Sequence, residues 1–271
     1  MAEETHTFKA SCICGNISHE ISIRKADLPL KGYVCHCDSC RHMTGALCLT
    51  VTFLPAYYEP AKSLVDKLIL PIFKAHHSIP LSNVTWDAAT GTLDHVEKQI
   101  DWQGHEFLKD TLDGGFADML LKVHDKELDR WPKIFGEGRD QLPACADAIP
   151  VTFWTFIPYM DISLDKHGKT PFNFDIGLDK LKKYTSSAGC HRYFCGTCGA
   201  TCFYMADDRK FMVDVSTGLL AAAEGAKALS WLSWRTSHIS FREDTVPRAE
   251  GLSAGIESAL KSWEQHMESE K

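Results

Sequence analysis

The segment VCHCDSCRH, residues 34–42, places three cysteines within six positions. Cys35, Cys37 and Cys40 are close enough in sequence for their thiolates to reach one ion. Three protein ligands leave the fourth position of a tetrahedral zinc site open for water or a substrate, and a thiolate-rich site suits a soft partner such as a thiol. His36 is an alternative ligand, but its place between two ligating cysteines predicts a side chain that points away. The segment therefore predicts an open zinc site of the catalytic type.

Two cysteine pairs that lie far apart in the chain predict a second, closed site. SCICG contains Cys12 and Cys14, and FCGTCG contains Cys195 and Cys198. C-x-x-C-G is a zinc-knuckle spacing, because the turn brings both sulfurs to one ion and the glycine lets backbone N–H groups approach the thiolates. Four thiolates complete a tetrahedron, so the two pairs together predict a composite structural site. The sequence thus predicts two zinc ions per molecule.

Composition restricts the possible partners and the compartment. The 271 residues are 44% hydrophobic and 24% charged, and the net charge of −7 offers no broad basic face for nucleic acid or an anionic membrane. The start, MAEETHTFKAS, lacks the basic and apolar regions of a signal peptide, and no run approaches the roughly 18 apolar residues of a membrane span. We therefore expect a cytoplasmic protein in which metal binding or thiol chemistry, rather than disulfides, explains the clustered cysteines among the 11. Cys48, Cys145 and Cys202, with apolar or small neighbours, are expected to be core cysteines.

Three segments together resemble the signature of one enzyme family. They are SCICGNISHEISI (11–23), VCHCDSCRHMTGA (34–46) and YTSSAGCHRYFCGTCGATCFY (184–204). In the order C-x-C-G, C-H-C-x-x-C-R and Y-x-S-S…R-x-F-C-x-x-C-G, they resemble the glutathione-dependent formaldehyde-activating enzyme family, which also includes centromere protein V. The resemblance implies a mainly β, zinc-binding β-tent fold, two zinc sites and a zinc-dependent carbon–sulfur lyase. It assigns the structural site to Cys12, Cys14, Cys195 and Cys198, and the catalytic site to Cys35, Cys37 and Cys40.

An internal repeat explains the long interval between the second and third segments. GALCLTVTFLPAYY (45–58) resembles AIPVTFWTFIPYMDISL (148–164), and VTWDAATGTLDHVEKQIDWQGHEF (84–107) resembles MVDVSTGLLAAAEGAKALSWLSWRTSHISF (212–241). The first pair shares V-T-F and a Pro–aromatic exit. The second pair shares a strand pattern, T-G-x-L and a return that contains Trp. The chain therefore reads as a contracted tandem member of the family, of fungal type.

We expect two related units and a terminal helix. Residues 8–140 carry the C-x-C and C-x-C-x-x-C segments, whereas residues 145–250 carry the F-C-x-x-C-G segment. Each unit lacks the cysteine segments that the other carries. The two units are therefore predicted to be merged into one tent. A C-terminal helix is predicted over residues 254–269. Residues 108–145 mix Gly, Asp, Lys and Pro and are interpreted as a surface excursion and linker.

Hydrophobic periodicity predicts a β-rich core with short helical additions. In NISHEISI, isoleucines 17, 21 and 23 fall on one face of a strand. β-Branched or aromatic runs bounded by turn residues predict further strands at ALCLTVTF (46–53), ATCFYMA (200–206) and KFMVDVST (210–217). In the C-terminal segment, Ile256, Leu260, Trp263 and Met267 form one apolar helical stripe.

A thiol such as glutathione requires cations for its carboxylates and polar groups for its peptide bonds. Arg41 directly follows the catalytic cysteines, and Ser186, Ser187 and Arg192 lie in the segment that reaches Cys195. Bidentate pairing with a carboxylate is the natural use of either arginine. The alternative is that Arg192 is a surface strand residue and the serine pair an exposed turn.

Three functions remain open at this point. The first is a zinc-dependent carbon–sulfur lyase that acts on a thiol–aldehyde adduct, similar to S-(hydroxymethyl)glutathione synthase, with a small-molecule thiol as its partner. The second is a zinc-stabilised binding or structural module, and the third is a degenerate family member without activity. The acidic balance and the absence of a basic tail argue against chromatin binding. Zinc content and turnover with a thiol and an aldehyde would separate the three, and the sequence predicts no oligomeric state.

Overall fold

A computed structural model describes residues 3–11, 18–59, 86–94, 96–112, 114–133, 153–174, 180–197, 199–225, 227–245 and 250–269. In this part of the chain the fold is mainly β with a C-terminal helix, which confirms the predicted class. No helix within it has the length and apolar character needed to cross a bilayer.

The described elements follow one another in chain order. The strands are β1 (Thr5–Ser11), β2 (Ser18–Arg24), β3 (Leu30–Cys35), β4 (Leu49–Phe53), β5 (Asp87–Ala89), β6 (Ile100–Glu106), β7 (Lys122–Val123), β8 (Lys126–Glu127), β9 (Asp129–Arg130), β10 (Trp154–Pro158), β11 (Leu181–Ser187), β12 (Cys190–Cys195), β13 (Thr201–Ala206) and β14 (Met212–Ser216). The α-helices are α1 (Asp38–Thr44) and α2 (Glu250–Ser269). Short 3₁₀ turns include Thr90–Thr92, Leu108–Asp110, Gly115–Met119 and Thr217–Leu219.

Two five-stranded sheets form the body of the described structure, one from each half of the chain. The first has the order β5-β4-β3-β6-β9, and within it β6 runs parallel to both β3 and β9. The second has the order β10-β14-β13-β12-β11 and is antiparallel throughout. Two ribbons, β1-β2 and β7-β8, complete the strand pairing. The predicted strands at 46–53, 200–206 and 210–217 correspond to β4, β13 and β14.

The ribbon of β1 and β2 supplies one side of the main hydrophobic core. Ile21 and Ile23 are buried, as the alternation predicts, and Phe8 lies opposite Ile21 in the antiparallel register. Alternate residues of a strand point to the same face, so the ribbon buries one face and exposes the other. Ile17 lies outside the described residues.

Helix α2 closes the other side of the core. Ile256, Leu260 and Trp263 are buried, which confirms the predicted stripe, and the helix begins at Glu250 rather than at residue 254. The helix packs against β7 and the turn Gly115–Met119. The side chain of Met267 lies outside the described residues.

The interpretation of residues 108–145 as a surface excursion is wrong for the part that the structure describes. Leu108, Phe116, Leu120 and Val123 are all buried in the core. The buried side chains Phe116, Leu120 and Val123 are four and three positions apart, as in a helix, but they lie in and after a 3₁₀ turn and in a two-residue strand. Residues 134–145 lie outside the described part of the chain.

The T-G-x-L motifs take the same local structure in both halves of the chain. Thr90–Thr92 follows β5 and Thr217–Leu219 follows β14, and each segment is a 3₁₀ turn. β5 pairs with β4, which carries the first V-T-F, and β14 pairs with β10, which begins directly after Phe153 of the second. The division into units over residues 8–140 and 145–250 stays a prediction.

The two halves of the chain contact one another at the end of α1 and at Phe153. The carbonyl oxygen of Gly45 accepts hydrogen bonds from the Gly218 N–H, at 3.0 Å, and from the Ser216 hydroxyl. The ring of Phe153 packs edge-on against Phe116, with the ring centres 4.8 Å apart. A residue of the second half thereby reaches the core of the first.

Candidate metal centre

Three cysteines converge where β3 passes into α1. Cys35 is the last residue of β3, Cys37 caps the start of α1, and Cys40 lies in its first turn. Their sulfur atoms lie within 4.8 Å of one another, and the residues are only 7%, 1% and 3% exposed. Within the described ranges, no other group of three or more His, Cys, Asp or Glu residues brings its ligand atoms together in this way. We refer to these residues as the cysteine trio.

The sequence of α1 explains the placement of the trio. The backbone N–H of Cys40 donates to Cys37 Sγ at 3.3 Å, so the thiol supplies the N-cap. Asp38 lies in the first turn and Arg41 in the last, where their charges complement the helix dipole. Gly45, at φ 72°, ends the helix in the left-handed conformation that favours glycine. The short helix therefore holds Cys37 and Cys40 one turn apart, beside the end of β3.

An apolar wall surrounds the trio. Leu49 and Phe107 pack against the three cysteines, and Leu49 is the antiparallel register partner of Cys35. Phe107 follows β6 directly and has a φ of 59°, a left-handed conformation that strains a bulky residue by about 1–3 kcal/mol. Its backbone N–H donates to Lys133 O at 3.0 Å. The surrounding fold thus holds an aromatic ring over the cysteines at a cost in backbone strain.

The thiols of the trio bond to one another in this dry pocket. The pKa of Cys35 is raised well above its ordinary value by hydrogen bonds with Cys37 and Cys40 and by burial. For Cys40, the hydrogen bond with Cys35 acts to lower the pKa, but the hydrogen bond with Cys37 and burial outweigh it, so that the pKa of Cys40 is also raised. A bound cation reverses this balance, because it stabilises thiolates and releases their protons.

The donor set fits a zinc ion. Three soft sulfurs match the ligand preference of zinc, and a tetrahedron with Zn–S bonds of about 2.3 Å needs sulfurs about 3.8 Å apart. The sulfurs already lie within 4.8 Å of one another. Small side-chain rotations therefore suffice to bring all three to one ion. His36 is not a member of this group, because its Nε2 lies 3.0 Å from His105 Nδ1 instead.

Arg41 lies beside the trio but is engaged with protein groups. Its guanidinium forms an ion pair with the Asp38 carboxylate and donates to Asp110 O at 3.4 Å. The Arg41 side chain is 10% exposed, whereas that of Asp38 is 65% exposed. Burial, together with the charges of Asp38 and Cys37, raises the pKa of Asp110. The Arg41 guanidinium is thus held by Asp38 and by the backbone of Asp110.

Of the other predicted substrate residues, the two serines lie at the far end of the second sheet and Arg192 lies midway along β12. Ser187 pairs with Cys190 at the β11–β12 turn, whereas the opposite end of β12 adjoins the strand start near Gly45. The six residues of β12 span about 17 Å at about 3.4 Å per residue. Arg192 is exposed, and its guanidinium carbon lies 5.3 Å from the centre of the Tyr204 ring. Ser186 is half-buried and Ser187 exposed, and the described contacts do not bring these residues to the trio.

The predicted four-cysteine site falls mainly on residues that lie outside the described part of the chain. These residues are Cys12, Cys14 and Cys198. Cys195 is half-buried at the end of β12, and its N–H donates to Ala200 O at 2.8 Å. The composite structural site stays a prediction.

The isolated cysteines differ from one another in burial. Cys48 is buried in the main core, as expected. Cys202 is only half-buried, so its interpretation as a core residue is wrong, while Cys145 lies outside the described residues. Cys190, for which sequence reasoning predicted no role, accepts a hydrogen bond from the Tyr204 hydroxyl at 3.2 Å.

Sequence reasoning missed two residues that shape the centre. His105 contacts His36, and Phe107 packs on the trio. Both belong to or follow β6, which reaches the trio only because β6 runs parallel to β3. No local pattern in the sequence announces such a pairing, since parallel strands need a long connection.

Fold and site together define a mainly β protein with a three-cysteine centre that can hold one metal ion. Residues 7–59 match the family described as Glutathione-dependent formaldehyde-activating enzyme, and this segment contains the whole trio. Over this segment the chain is therefore similar to that family, whose name refers to glutathione and to the activation of formaldehyde. Searches of curated proteins and of solved structures found no match.

Proposed function

We propose that this protein is a zinc-dependent carbon–sulfur lyase that acts on the adduct of a thiol and an aldehyde, similar to S-(hydroxymethyl)glutathione synthase. The observation that carries the proposal is the buried trio, whose sulfurs lie within 4.8 Å of one another. The family match over residues 7–59 supplies the substrate class, since the family name joins glutathione and formaldehyde.

Cys35, Cys37 and Cys40 would hold the catalytic ion. A zinc ion with three thiolate ligands supplies an open, electron-rich position that favours exchange with a substrate thiol. Phe107 and Leu49 keep this position apolar, so that a substrate sulfur competes with little water there. The second ion, for a total of two, belongs to Cys12, Cys14, Cys195 and Cys198.

A small thiol such as glutathione is the proposed partner. Arg41 is the cation closest to the trio in sequence, and its pairing with the exposed Asp38 shows that its guanidinium can face a carboxylate. Ser186, Ser187 and Arg192 are also proposed to bind a thiol, but at a place on the second sheet that is separate from the trio, because the strand β12 lies between them. Arg192 is exposed and therefore accessible to such a ligand. A cytoplasmic location belongs to the proposal, because the free thiols of the trio need a reducing compartment.

One observation favours a zinc-stabilised module without turnover as the second candidate. The trio is nearly closed to solvent, with exposures of 7%, 1% and 3%. A closed site suits a structural ion, since a catalytic site must admit its substrate. Turnover decides between the two candidates, and zinc content separates both of them from a degenerate protein.

The test compares two cysteine substitutions on the full chain. Cys37→Ala removes a member of the trio, and Cys48→Ala removes an equally buried cysteine outside it. We expect wild type and Cys48→Ala to bind two zinc ions and to catalyse S-(hydroxymethyl)glutathione formation, and we expect Cys37→Ala to lose one ion and the activity. Zinc is measured by elemental analysis, and turnover by NMR of ¹³C-formaldehyde with glutathione.

Two outcomes would contradict the proposal. Full turnover by a folded Cys37→Ala variant would remove the trio from catalysis. Zinc-loaded wild type that leaves the uncatalysed rate unchanged would favour the structural module.

A further inference from the structure

Two histidine side chains lie fully buried beside the trio and take no part in the proposed reaction. His36 and His105 are both 0% exposed. His36 Nε2 lies 3.0 Å from His105 Nδ1, and His105 Nε2 lies 2.7 Å from the carbonyl oxygen of Leu120. The two rings and the carbonyl thus form one chain of hydrogen bonds, which we name the imidazole chain.

The carbonyl oxygen of Leu120, at the end of the imidazole chain, decides which ring nitrogens carry protons. A carbonyl oxygen can only accept, so His105 Nε2 must carry the proton that it donates to Leu120. The neutral ring then has a lone pair at Nδ1, and His36 Nε2 must donate to it. His36 Nδ1 is left with a lone pair, and it is a buried atom that has no partner among the described residues.

The imidazole chain and the thiols lie on opposite sides of the same strand end. Val34 is the register partner of His105, and Cys35 is the partner of Glu106. Because neighbouring residues of a strand point to opposite faces, His36 and His105 share one face and Cys35 points to the other. The backbone N–H of His36 also donates to the backbone carbonyl oxygen of Glu106 at 2.9 Å. The backbone between Cys35 and Cys37 is therefore fixed both by its own hydrogen bond and by the side chain that it carries.

We propose that His36 and His105 are positioning residues that set the Cys35–Cys37 backbone so that the trio converges on a metal ion. An apolar pair could fill the same space, but it would not fix the orientation of one ring against the other, because only hydrogen bonds are directional. This inference rests on the metal-binding part of the proposed function and not on the reaction. It explains why two polar rings that hydrogen-bond to each other occupy a place that apolar side chains could fill.

The test uses two substitutions of equal length at one position. His36→Gln keeps an N–H that can reach His105 Nδ1, whereas His36→Met has a similar shape and no donor. Co²⁺ alone is titrated into each metal-free full chain in competition with a chelator. Cys37→Ala, measured in the same way, reports the Co²⁺ that binds elsewhere and is subtracted.

We expect His36→Gln to bind Co²⁺ at the trio nearly as tightly as wild type. His36→Met should bind it about 10–100-fold more weakly, in line with the loss seen when groups that orient metal ligands are removed. The thiolate-to-cobalt charge-transfer band should also fall per bound ion in His36→Met, because fewer sulfurs reach the metal. Equal affinity and equal spectra for the two variants would overturn the inference, whatever the stability of the metal-free proteins.

A measurement on wild type keeps the inference testable if either variant fails to fold. Ring nitrogens are observed by ¹⁵N NMR before and after one equivalent of ¹¹³Cd²⁺. We expect protons on Nε2 of both His36 and His105, a bare His36 Nδ1, and no change of this pattern with cadmium. A proton on His36 Nδ1, or a cadmium coupling to it, would overturn the positioning role, the latter by making His36 a ligand.

The outcomes for this inference and for the proposed function are distinguishable. Tight Co²⁺ binding with the expected contrast between the variants, but without turnover, would remove the lyase activity and keep the positioning role. Wild type that gives no thiolate-to-cobalt band at the trio would overturn the positioning role, since there would be no ion for the trio to converge on.

Discussion

The backbone N–H of Gly218 donates a 3.0 Å hydrogen bond to the carbonyl oxygen of Gly45, where the turn after β14 meets the end of α1. A Cβ atom on Gly218 would lie 2.2 Å from the Ala46 carbonyl oxygen and 2.5 Å from that of Gly45. The helix that carries two members of the trio is therefore seated directly on the second sheet. Backbone meets backbone here, and no side chain can yield to make room.

We expect Gly218→Ala to destabilise the protein by about 3 kcal/mol, because the new methyl group must push two carbonyl groups away. Gly91→Ala is the matched control, since Gly91 has the same place in the first T-G-x-L turn and a Cβ atom added there would meet no atom within 4 Å. The control should change stability by less than about 0.5 kcal/mol. Urea unfolding followed by tryptophan fluorescence measures both, and equal effects would show that the Gly45–Gly218 contact is not tight in solution.

The composite zinc site predicts a specific loss at Cys195. Cys195→Ser should remove one zinc ion per molecule and should destabilise the first sheet as well as the second, because the shared ion would tie Cys12 and Cys14 to β12. Cys202→Ser, a change at another half-buried cysteine of the second sheet, should keep both ions. Elemental analysis and hydrogen exchange of the β1–β2 amides provide the measurements. Full zinc content in Cys195→Ser would exclude this residue as a ligand.

Loss of the ion pair between Arg209 and Asp214 in the second sheet is predicted to lower the stability of the protein strongly. The two guanidinium nitrogens lie 2.7 and 2.6 Å from the two carboxylate oxygens, and the Asp214 side chain is only 5% exposed. Arg209→Met would leave a buried charge without its partner and should cost about 3 kcal/mol of stability. Lys210→Met, an exposed neighbour, should change stability little. Chemical denaturation tests both variants, and a loss below about 1 kcal/mol for Arg209→Met would show that water replaces the arginine.

The hydrogen bonds around Cys190 predict that its thiol reacts at lower pH than that of an ordinary cysteine. Hydrogen bonds with the Ser187 and Tyr204 hydroxyls lower its pKa by stabilising the thiolate. Since a lowered pKa keeps the thiolate present as the pH falls, alkylation of Cys190 should persist to lower pH than that of a free thiol. Tyr204→Phe removes one donor and should move the pH midpoint of alkylation upward.

Tyr184→Phe is the control for that experiment, since it removes a hydroxyl from the neighbouring strand β11 without touching the bonds to Cys190. Its midpoint should equal that of wild type. Iodoacetamide labelling followed by peptide mass spectrometry isolates Cys190 from the other cysteines. An unchanged midpoint in Tyr204→Phe would show that the hydroxyl does not support the thiolate.

The sequence predicted those features whose determinants are local. The stripe of Ile256, Leu260 and Trp263 reports a helix because its period is a property of the helix itself. The trio is equally local, since Cys35, Cys37 and Cys40 belong to one strand end and the helix that follows. Spacing alone was sufficient to place three sulfurs together.

Features that depend on distant strands could not be predicted in the same way. His36 meets His105 across 69 positions of sequence, and the contact exists only because β3 and β6 are parallel. Phe116 and Leu120 enter the core from turns, where neither the strand nor the helix period applies. The composition of their segment is that of a loop, although its packing is that of a core, and composition therefore predicted the wrong environment.

The parallel pairing of β3 with β6 also orders events during synthesis. Glu106, the register partner of Cys35, is added about 70 residues later, which at about 5–20 residues per second is a delay of several seconds. Throughout that delay α1 can form and the three thiols can meet, but the strand that buries them has not yet left the ribosome. An ion captured then would be held by the local segment alone, without the contact between His36 and His105, and the full affinity of the trio would arise only when β6 pairs with β3.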